Sequence, residues 1–243
     1  MEKEIYSLQY KVEKDHWWFV ARLRILLRYL DVKMPASSSV KLLDVGCGTG
    51  AVLEALAKRY DAHGIDSSLD AVAFCRERGL ANMKVGLLED VSENGSFDIL
   101  TFFDVVEHVA DDAGLLRNAY RILKPGGRIL ITVPAFPSLW SRHDEILHHQ
   151  RRYTRAQLRS LVQGVGFHIH HLTFFNTLLF PVAVVKRFAA KLSGSSEAND
   201  LQIPGGSVNG ALRTIFAAER FVLPYVSLPF GLSLLCWGEK RSS

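Results

Sequence analysis

This sequence of 243 residues predicts an α/β fold built on a doubly wound parallel sheet. Three observations predict it. Short apolar runs alternate with helix-like runs over roughly the first 135 residues, the pattern of parallel strands joined by crossover helices. The first apolar run passes directly into a turn with three glycines within five residues, Gly46, Gly48 and Gly50. Acids stand at the ends of successive runs, at Asp44 and Asp66, where such a sheet places its ligands. The length suits one α/β domain with an elaboration, or at most two small domains.

Residues 5–31 are charged and aromatic, and Leu23, Leu26, Leu27 and Leu30 have the spacing of a helix with one buried face. PASSS, 35–39, is a loop. VKLLDV is the first strand and TGAVLEALAKRY a helix. DAHGID is the second strand, and SLDAVAFCRERG a helix closed by Gly79. NMKVGLL is a weaker third strand and FDILTFFDV a fourth. DDAGLLRNAYRIL is a helix stopped by Pro125, and GRILITVPA a fifth strand. The pattern then changes. TRAQLRSLVQGVGF is a helix with Thr154 as N-cap and Gln157 as its capping-box partner. FHIHHLTFF and FGLSLLCWGEK are strands. About fifty residues separate them, holding two amphipathic segments and the polar link SGSSEANDLQIPGGS. No internal repeat is present.

Apolar residues make up 48% and charged residues 22%, the balance of a globular protein. The formal net charge of +4 permits an anionic substrate or membrane surface without requiring nucleic acid. Cys47, Cys75 and Cys236 have no metal-type spacing and read as reduced thiols of a cytoplasmic protein. The N-terminal MEKEIYSLQYKVEKDHWW lacks the apolar core of a signal peptide, and no apolar run is long enough to predict a transmembrane helix.

Glycines just past a strand accept positive φ and let the backbone approach a ligand, while the next helix points its N–H groups into the same crevice. No Lys-Ser/Thr pair follows, so this is not a phosphate-binding P-loop, and the spacing departs from the dinucleotide GxGxxG pattern. Asp44 would repel a pyrophosphate and suits a cationic ligand. Asp66 is placed to accept both hydroxyls of a ribose, or to cap the helix that follows. The two acids together point to a nucleoside carrying positive charge.

LLDVGCGTG, HGID, FDILTFFDVVEHV and LKPGGRILITVP resemble, in order and spacing over residues 40–135, the successive motifs of class I S-adenosylmethionine-dependent methyltransferases. The resemblance implies a Rossmann-like seven-stranded sheet whose last strand is antiparallel, completed by FHIHHLTFF and FGLSLLCWGEK. It implies that Gly46, Cys47, Gly48 and Gly50 wrap the methionine and ribose parts of the cofactor, with Asp44 near the ammonium group. Asp66 would take the ribose hydroxyls, Ser67 would lie beside the adenine, and Phe103, Asp104 and Val105 would pass the methionine portion. Many relatives carry Gly-Asp after the third strand to meet the adenine amine. Here VGLLEDV stands, so either Leu87 occupies that place or a shifted loop brings Asp90 to it.

Methyl transfer from a sulfonium requires positioning, and a base only where the acceptor must lose a proton. Three sets of residues qualify. Glu107-His108 follows the fourth strand, and His108 is a general-base candidate; some quinone O-methyltransferases recruit a divalent metal through such a pair, but no metal is expected here. In SRHDEILHHQRRYT, 141–154, His143 and His148 are catalytic candidates. Asp144, Arg151, Arg152 and Tyr153 are acceptor-binding candidates, the two arginines suited to a phosphate or carboxylate. In HWWFVAR, 16–22, Trp18 is placed to cover a sulfonium and Arg22 to pair with the cofactor carboxylate. HIHH, 168–171, alternates on a strand and reads as surface. A subset of bacterial methyltransferases joins an HWWF-type helix to an H-D…H-x-R-R-Y segment, which extends the resemblance to about residues 5–180.

The division expected is an N-terminal helical cap over 1–35, a methyltransferase core over 36–176 and 230–243, and a helical insert over 177–229. The insert is rich in Phe, Leu and Val with scattered basic residues, which suits a lid, a dimer surface or a peripheral membrane contact at the inner membrane face. The function expected is O-methylation of a small amphipathic or anionic acceptor, lipid-like in character. A nucleic-acid or protein methyltransferase is the alternative, against which stand the absence of a Pro-Pro-Tyr-type motif after the fourth strand and of a dense basic stripe; a cofactor-binding subunit without catalysis is the third.

Overall fold

A computed structural model describes residues 3–92, 94–193 and 202–241. Seven strands form one sheet in the order β3-β2-β1-β4-β5-β7-β6. They are β1 (Ser37–Val45), β2 (Tyr60–Asp66), β3 (Met83–Val85), β4 (Phe97–Phe103), β5 (Leu123–Pro134), β6 (Phe167–Phe175) and β7 (Ser233–Lys240). The first five pair in parallel, and β7 runs antiparallel to both neighbours. The doubly wound sheet and its reversed final strand are therefore as expected.

Alternation along the strands builds two cores. Leu43, Leu100, Ile129 and Ile131 face one side, where α5 (Asp112–Ile122) and α7 (Arg155–Gly164) pack. Leu42, Ile99 and Leu130 face the other, with α2 (Trp17–Lys33), α3 (Ala51–Ala57) and the inner face of α9 (Gly206–Ala218). α4 (Leu69–Glu77) follows β2, and Gly79 beyond it has φ +79°. The Thr154–Gln157 capping box of α7 forms as expected.

The boundaries moved where tertiary contacts outweigh local pattern. The N-terminal segment is two helices, α1 (Lys3–Val12) and α2, because between them Glu13 is drawn to Thr49 and Arg78 and His16 caps α2 by accepting from the Trp18 N–H. Ser37–Ser39, expected in a loop, extend β1 after a register shift. The third strand is only three residues, since Gly86 turns the chain at φ +153°. β5 begins already at Leu123.

The expected insert lies between β6 and β7. Its first segment is α8 (Phe180–Ser193). The second is helical only to Ala218 and becomes turns through Pro224 and Pro229; the buried Glu219 there accepts from the N–H groups of Asn176, Thr177 and Leu178. Part of the polar link, 194–201, lies outside the described residues. Among the described residues no helix is long and apolar enough to cross a membrane.

Candidate active site

Strand order reverses between β1 and β4, so the crevice lies at their carboxyl ends. Gly46 and Gly48 have φ of +66° and +55°. A Cβ on Gly46 would stand 2.6 Å from Val105, so the tip of β4 is packed against the turn. A Cβ on Gly48 would meet only the Gln9 amide, at 3.9 Å, and that side of the turn is open to a ligand. Asp66 organises the turn: one carboxylate oxygen accepts from the Gly48 N–H and the other from the Ser68 N–H, each at 2.9 Å. Burial raises its pKa, and those two bonds oppose the rise. Asp44 is buried at the end of β1 and accepts from the Thr101 hydroxyl at 2.6 Å; burial pushes its pKa up to about 7. Cys47 is buried, Gly50 begins α3, and Ser67 is exposed beside Asp66. Of the two adenine candidates, Asp90 is engaged as a cap, accepting from the Leu87 N–H at 2.9 Å, whereas Leu87 is exposed at the tip of β3.

Sequence reasoning missed how α1 covers this crevice. Tyr6 is buried beside Asp66 and hydrogen-bonds Ser68; burial, then the Asp66 charge, pushes its pKa up to about 12. Glu13 accepts from the Thr49 hydroxyl at 2.8 Å and pairs with Arg78. The one signal was that the N-terminal residues are charged and aromatic where an isolated helix would be simply amphipathic.

At the tips of β4 and β5, Arg22 pairs with Asp104 at 2.6 Å and donates to the Thr132 hydroxyl at 3.2 Å. Trp18 stacks on its guanidinium at 4.9 Å, and Phe103 lies at 5.6 Å from it. Trp18 thus covers an arginine. Arg22 is buried and its Nε has no partner. Asp104 holds φ +58°, which a non-glycine residue adopts only when its surroundings impose it.

Past β4, Val106–His108 form a short turn. Glu107 is fully buried, and neither carboxyl oxygen has a hydrogen-bond partner. Burial, reinforced by Asp104, pushes its pKa well up. Burial also lowers His108 to about 4. The His149 ring stands edge-on to His108, centroids 4.7 Å apart, and donor atoms of Glu107, His108 and His149 all lie within 4.8 Å of one another. One carboxylate and two imidazoles can share a proton or hold a metal ion.

His149 was not among the expected residues. Its Nδ1 meets Asp144 at 2.8 Å. His148, expected instead, is exposed at φ +55°, and His143 is a neighbour whose ring centroid lies 6.5 Å from that of His149. Three further expected residues have their side chains engaged within the chain. Asp144 is fully buried and accepts from Arg152 Nε at 2.7 Å. Arg152 is buried and also donates to the Ala135 carbonyl. Tyr153 is in the core, its hydroxyl donating to Asp112 at 2.8 Å. Arg151, half-exposed, pairs with the same Asp112 carboxylate at 2.9 Å. The RRY segment docks α6 (Arg142–Ile146) and α7 onto the sheet.

A family model described as a methyltransferase domain matches residues 16–172, which takes in α2, the glycine turn, both acids and the Glu107–His149 cluster. The chain belongs to this methyltransferase family. Its fold is that of the class I S-adenosylmethionine-dependent enzymes. It is 42% identical over 101 residues to a ubiquinone biosynthesis O-methyltransferase of Methylococcus capsulatus, covering 38% of this chain and 42% of that one. It is 32% identical over 149 residues to phosphoethanolamine N-methyltransferase 1 of Triticum aestivum, covering 56% of this chain and 30% of that one. The chain therefore spans less than half the length of these curated relatives. Among solved structures, the methyltransferase in complex with the Haloferax volcanii Trm112 activator aligns with TM-score 0.64 at 20% identity, over 99% of this chain and 96% of that one. An S-adenosylmethionine-dependent methyltransferase of Archaeoglobus fulgidus aligns with TM-score 0.56 at 21% identity, over 89% and 94%.

The methyltransferase crevice fits the family's cofactor, S-adenosylmethionine. The open side of Gly48 admits a ligand against the backbone. Asp44 is a buried carboxyl that a ligand cation would ionise, and Arg22 Nε is a buried donor without an acceptor.

Proposed function

We propose that this methyltransferase domain methylates an oxygen of a small amphipathic acceptor. The observation that carries this reading is the buried, unpartnered Glu107 carboxyl beside His108 and His149, at the end of β4 on the cofactor edge. The two curated relatives are named for O- and N-methylation. A hydroxyl must give up its proton as it attacks, whereas a free amine attacks through its lone pair, so a proton-accepting cluster favours oxygen. The amphipathic part of the expectation carries over from the apolar insert. The anionic part loses its basis, because Arg151 and Arg152 are held by Asp112 and Asp144.

Bound S-adenosylmethionine supplies a methyl group already activated on a sulfonium. The protein's part is then placement and proton handling. Gly46–Gly50 and Asp66 seat the nucleoside, Asp44 meets the ammonium, and Arg22 offers its free Nε to the carboxylate. His108 and His149 accept the acceptor's proton. Asp144 holds the Nδ1 side of His149 and so leaves Nε2 for that task. α1 and Trp18 limit the access of water.

The test is to incubate the protein with methyl-labelled cofactor and fractionated cell extract. Label should enter the lipid or small-molecule fraction as an alkali-stable ether or as an ester; label in the polymer fraction, or in none, overturns the reading. Asp66→Ala should weaken cofactor binding by about 1.5–3 kcal/mol by calorimetry, since a charged acceptor is lost. Unchanged affinity would leave Asp66 a cap only.

Asp44 also sets a pH dependence. Its folded pKa of about 7 lies above the ordinary aspartate value, so the folded state resists ionisation and loses stability as pH rises from the ordinary value towards 7. A cationic ligand needs the ionised form. Cofactor affinity should therefore rise roughly fivefold from pH 6 to 7, about twofold more by pH 8, and then level. Calorimetry at three pH values checks this, and Asp44→Asn should flatten the profile; a profile that keeps its slope in that variant assigns the titration elsewhere.

A further inference from the structure

We infer that the outer face of the insert docks on an anionic lipid bilayer. Of the fifteen large apolar side chains exposed among the described residues, eleven lie between residues 178 and 230, under a quarter of the chain. That concentrates exposed apolar surface in one segment of the chain, unlike the scatter of an ordinary surface. α9 shows it most directly. Its inner face, Phe216 and Ala217, is buried against α2, and Trp17 packs edge-on to Phe216. Its outer face should then be polar, yet the exposed positions Val208, Ala211, Ile215 and Ala218 recur at helical spacing and lead into Val222. Leu178 before α8 and Val182 and Val185 within it are exposed as well, the latter two at 66% and 68%. Phe221 and Tyr225 stand out on the turn after α9, at 62% and 63%.

Charge selects the occupant. The cations whose side chains are described in the insert are Lys186, Arg213 and Arg220. Among its described residues the one acid is Glu219, which is buried with its carboxylate committed to three backbone N–H groups. Glu197 and Asp200 fall outside the described residues. An apolar face edged by cations is the pattern of a segment lying in a membrane interface beside acidic headgroups. Tyr225, with an apolar ring and a polar tip, suits the same depth. A second copy of the chain would set like charges against like across a two-fold axis, which disfavours self-association. None of these helices can span a bilayer, so the contact lies in its surface.

The face adjoins the chemistry. Phe180, which opens α8, meets Phe136 just beyond β5, with ring centroids 5.7 Å apart. Asn209 on α9 accepts from the Trp17 N–H at 2.9 Å, next to Trp18 and Arg22. On the function proposed above, an acceptor dissolved in the bilayer would enter the crevice from this side.

The test needs no acceptor. The full chain is floated with vesicles of mixed phosphatidylglycerol and phosphatidylcholine, and with phosphatidylcholine alone, at low and high salt. It should bind the anionic vesicles at least about tenfold better, and salt should weaken that binding. The triple variant Val182→Glu, Val185→Glu, Phe221→Glu should lose it by about tenfold or more, with cofactor affinity and circular dichroism unchanged. Because cofactor binding is read separately, loss of docking does not bear on methyl transfer. Absence of binding, equal binding to neutral vesicles, or binding that survives the triple variant overturns the inference. So does a dimer in sedimentation that the triple variant abolishes, which would assign the face to a second copy.

Discussion

Asp144→Ala should lower the stability of the domain by about 3–5 kcal/mol, the cost of removing one partner from a buried charged network. The carboxylate is fully buried and all its capacity is used. One oxygen accepts from Arg152 Nε at 2.7 Å and His149 Nδ1 at 2.8 Å, and the other from the Ser141 N–H at 2.8 Å and its hydroxyl at 3.2 Å. Burial alone would raise its pKa; the bonds from His149 and Arg152 overcome that and hold it far below the ordinary carboxylate range. Alanine would leave the Arg152 guanidinium buried with the Ala135 carbonyl as its acceptor. A cost of that size should bring the thermal midpoint down by roughly 6–20 °C for a chain of this length. Asp144→Asn should fall between, since an amide oxygen still accepts from one donor while its NH2 opposes another. Calorimetric melting of the three proteins decides it. A midpoint for Asp144→Ala within about 2 °C of the parent would mean that the segment before α7 contributes little to the fold, and Arg152 would again be open to an acceptor.

That network also shows where sequence reading stops. Strand ends and their acids were legible because alternation, glycine spacing and chain order are local. Asp44, Asp66 and the 46–50 turn fall at the crevice for that reason. Glu107 and His108 were legible as a pair following β4. Their third partner was not. Two adjacent histidines follow Leu147, and only the left-handed backbone at His148, φ +55°, turns His149 inward and leaves His148 outside. The partners of the arginine pair were hidden in the same way. Adjacent cations ordinarily mark solvent, but Asp144 lies eight residues before Arg152 and meets it only through the turn of α6. The break between α1 and α2 has no glycine or proline to announce it; Glu13 reaching Thr49, far along the chain, makes it. In each case the missing information is a pairing of buried charge that depends on the folded path of the chain, across a turn for Asp144 with His149 and Arg152 and far along the chain for Glu13 with Thr49 and Arg78.

Gly48→Val should reduce cofactor affinity by a hundredfold or more while the fold persists. At φ +55° a β-branched residue is outside its allowed region, and the strain is about 1–3 kcal/mol before any contact is considered. The strain falls on a peptide whose N–H donates to Asp66 at 2.9 Å and whose carbonyl accepts from the Cys75 thiol at 3.2 Å. Relaxing it moves the turn and the Asp66 carboxylate together. The valine methyl groups would also enter the open side of the turn, where the backbone should meet the ligand. Strain and steric block thus act on the same site, and the strain is smaller than the roughly 5–15 kcal/mol by which a domain stays folded. Gly79 supplies the control. Its φ is +79° and a Cβ there meets nothing within 4 Å, so Gly79→Val carries the same kind of backbone strain away from the crevice. Both variants should lose comparable stability by thermal melting, but only Gly48→Val should lose cofactor binding by calorimetry. Equal binding by the two would show that the ligand does not approach the backbone at this turn, and the crevice would have to be sought elsewhere.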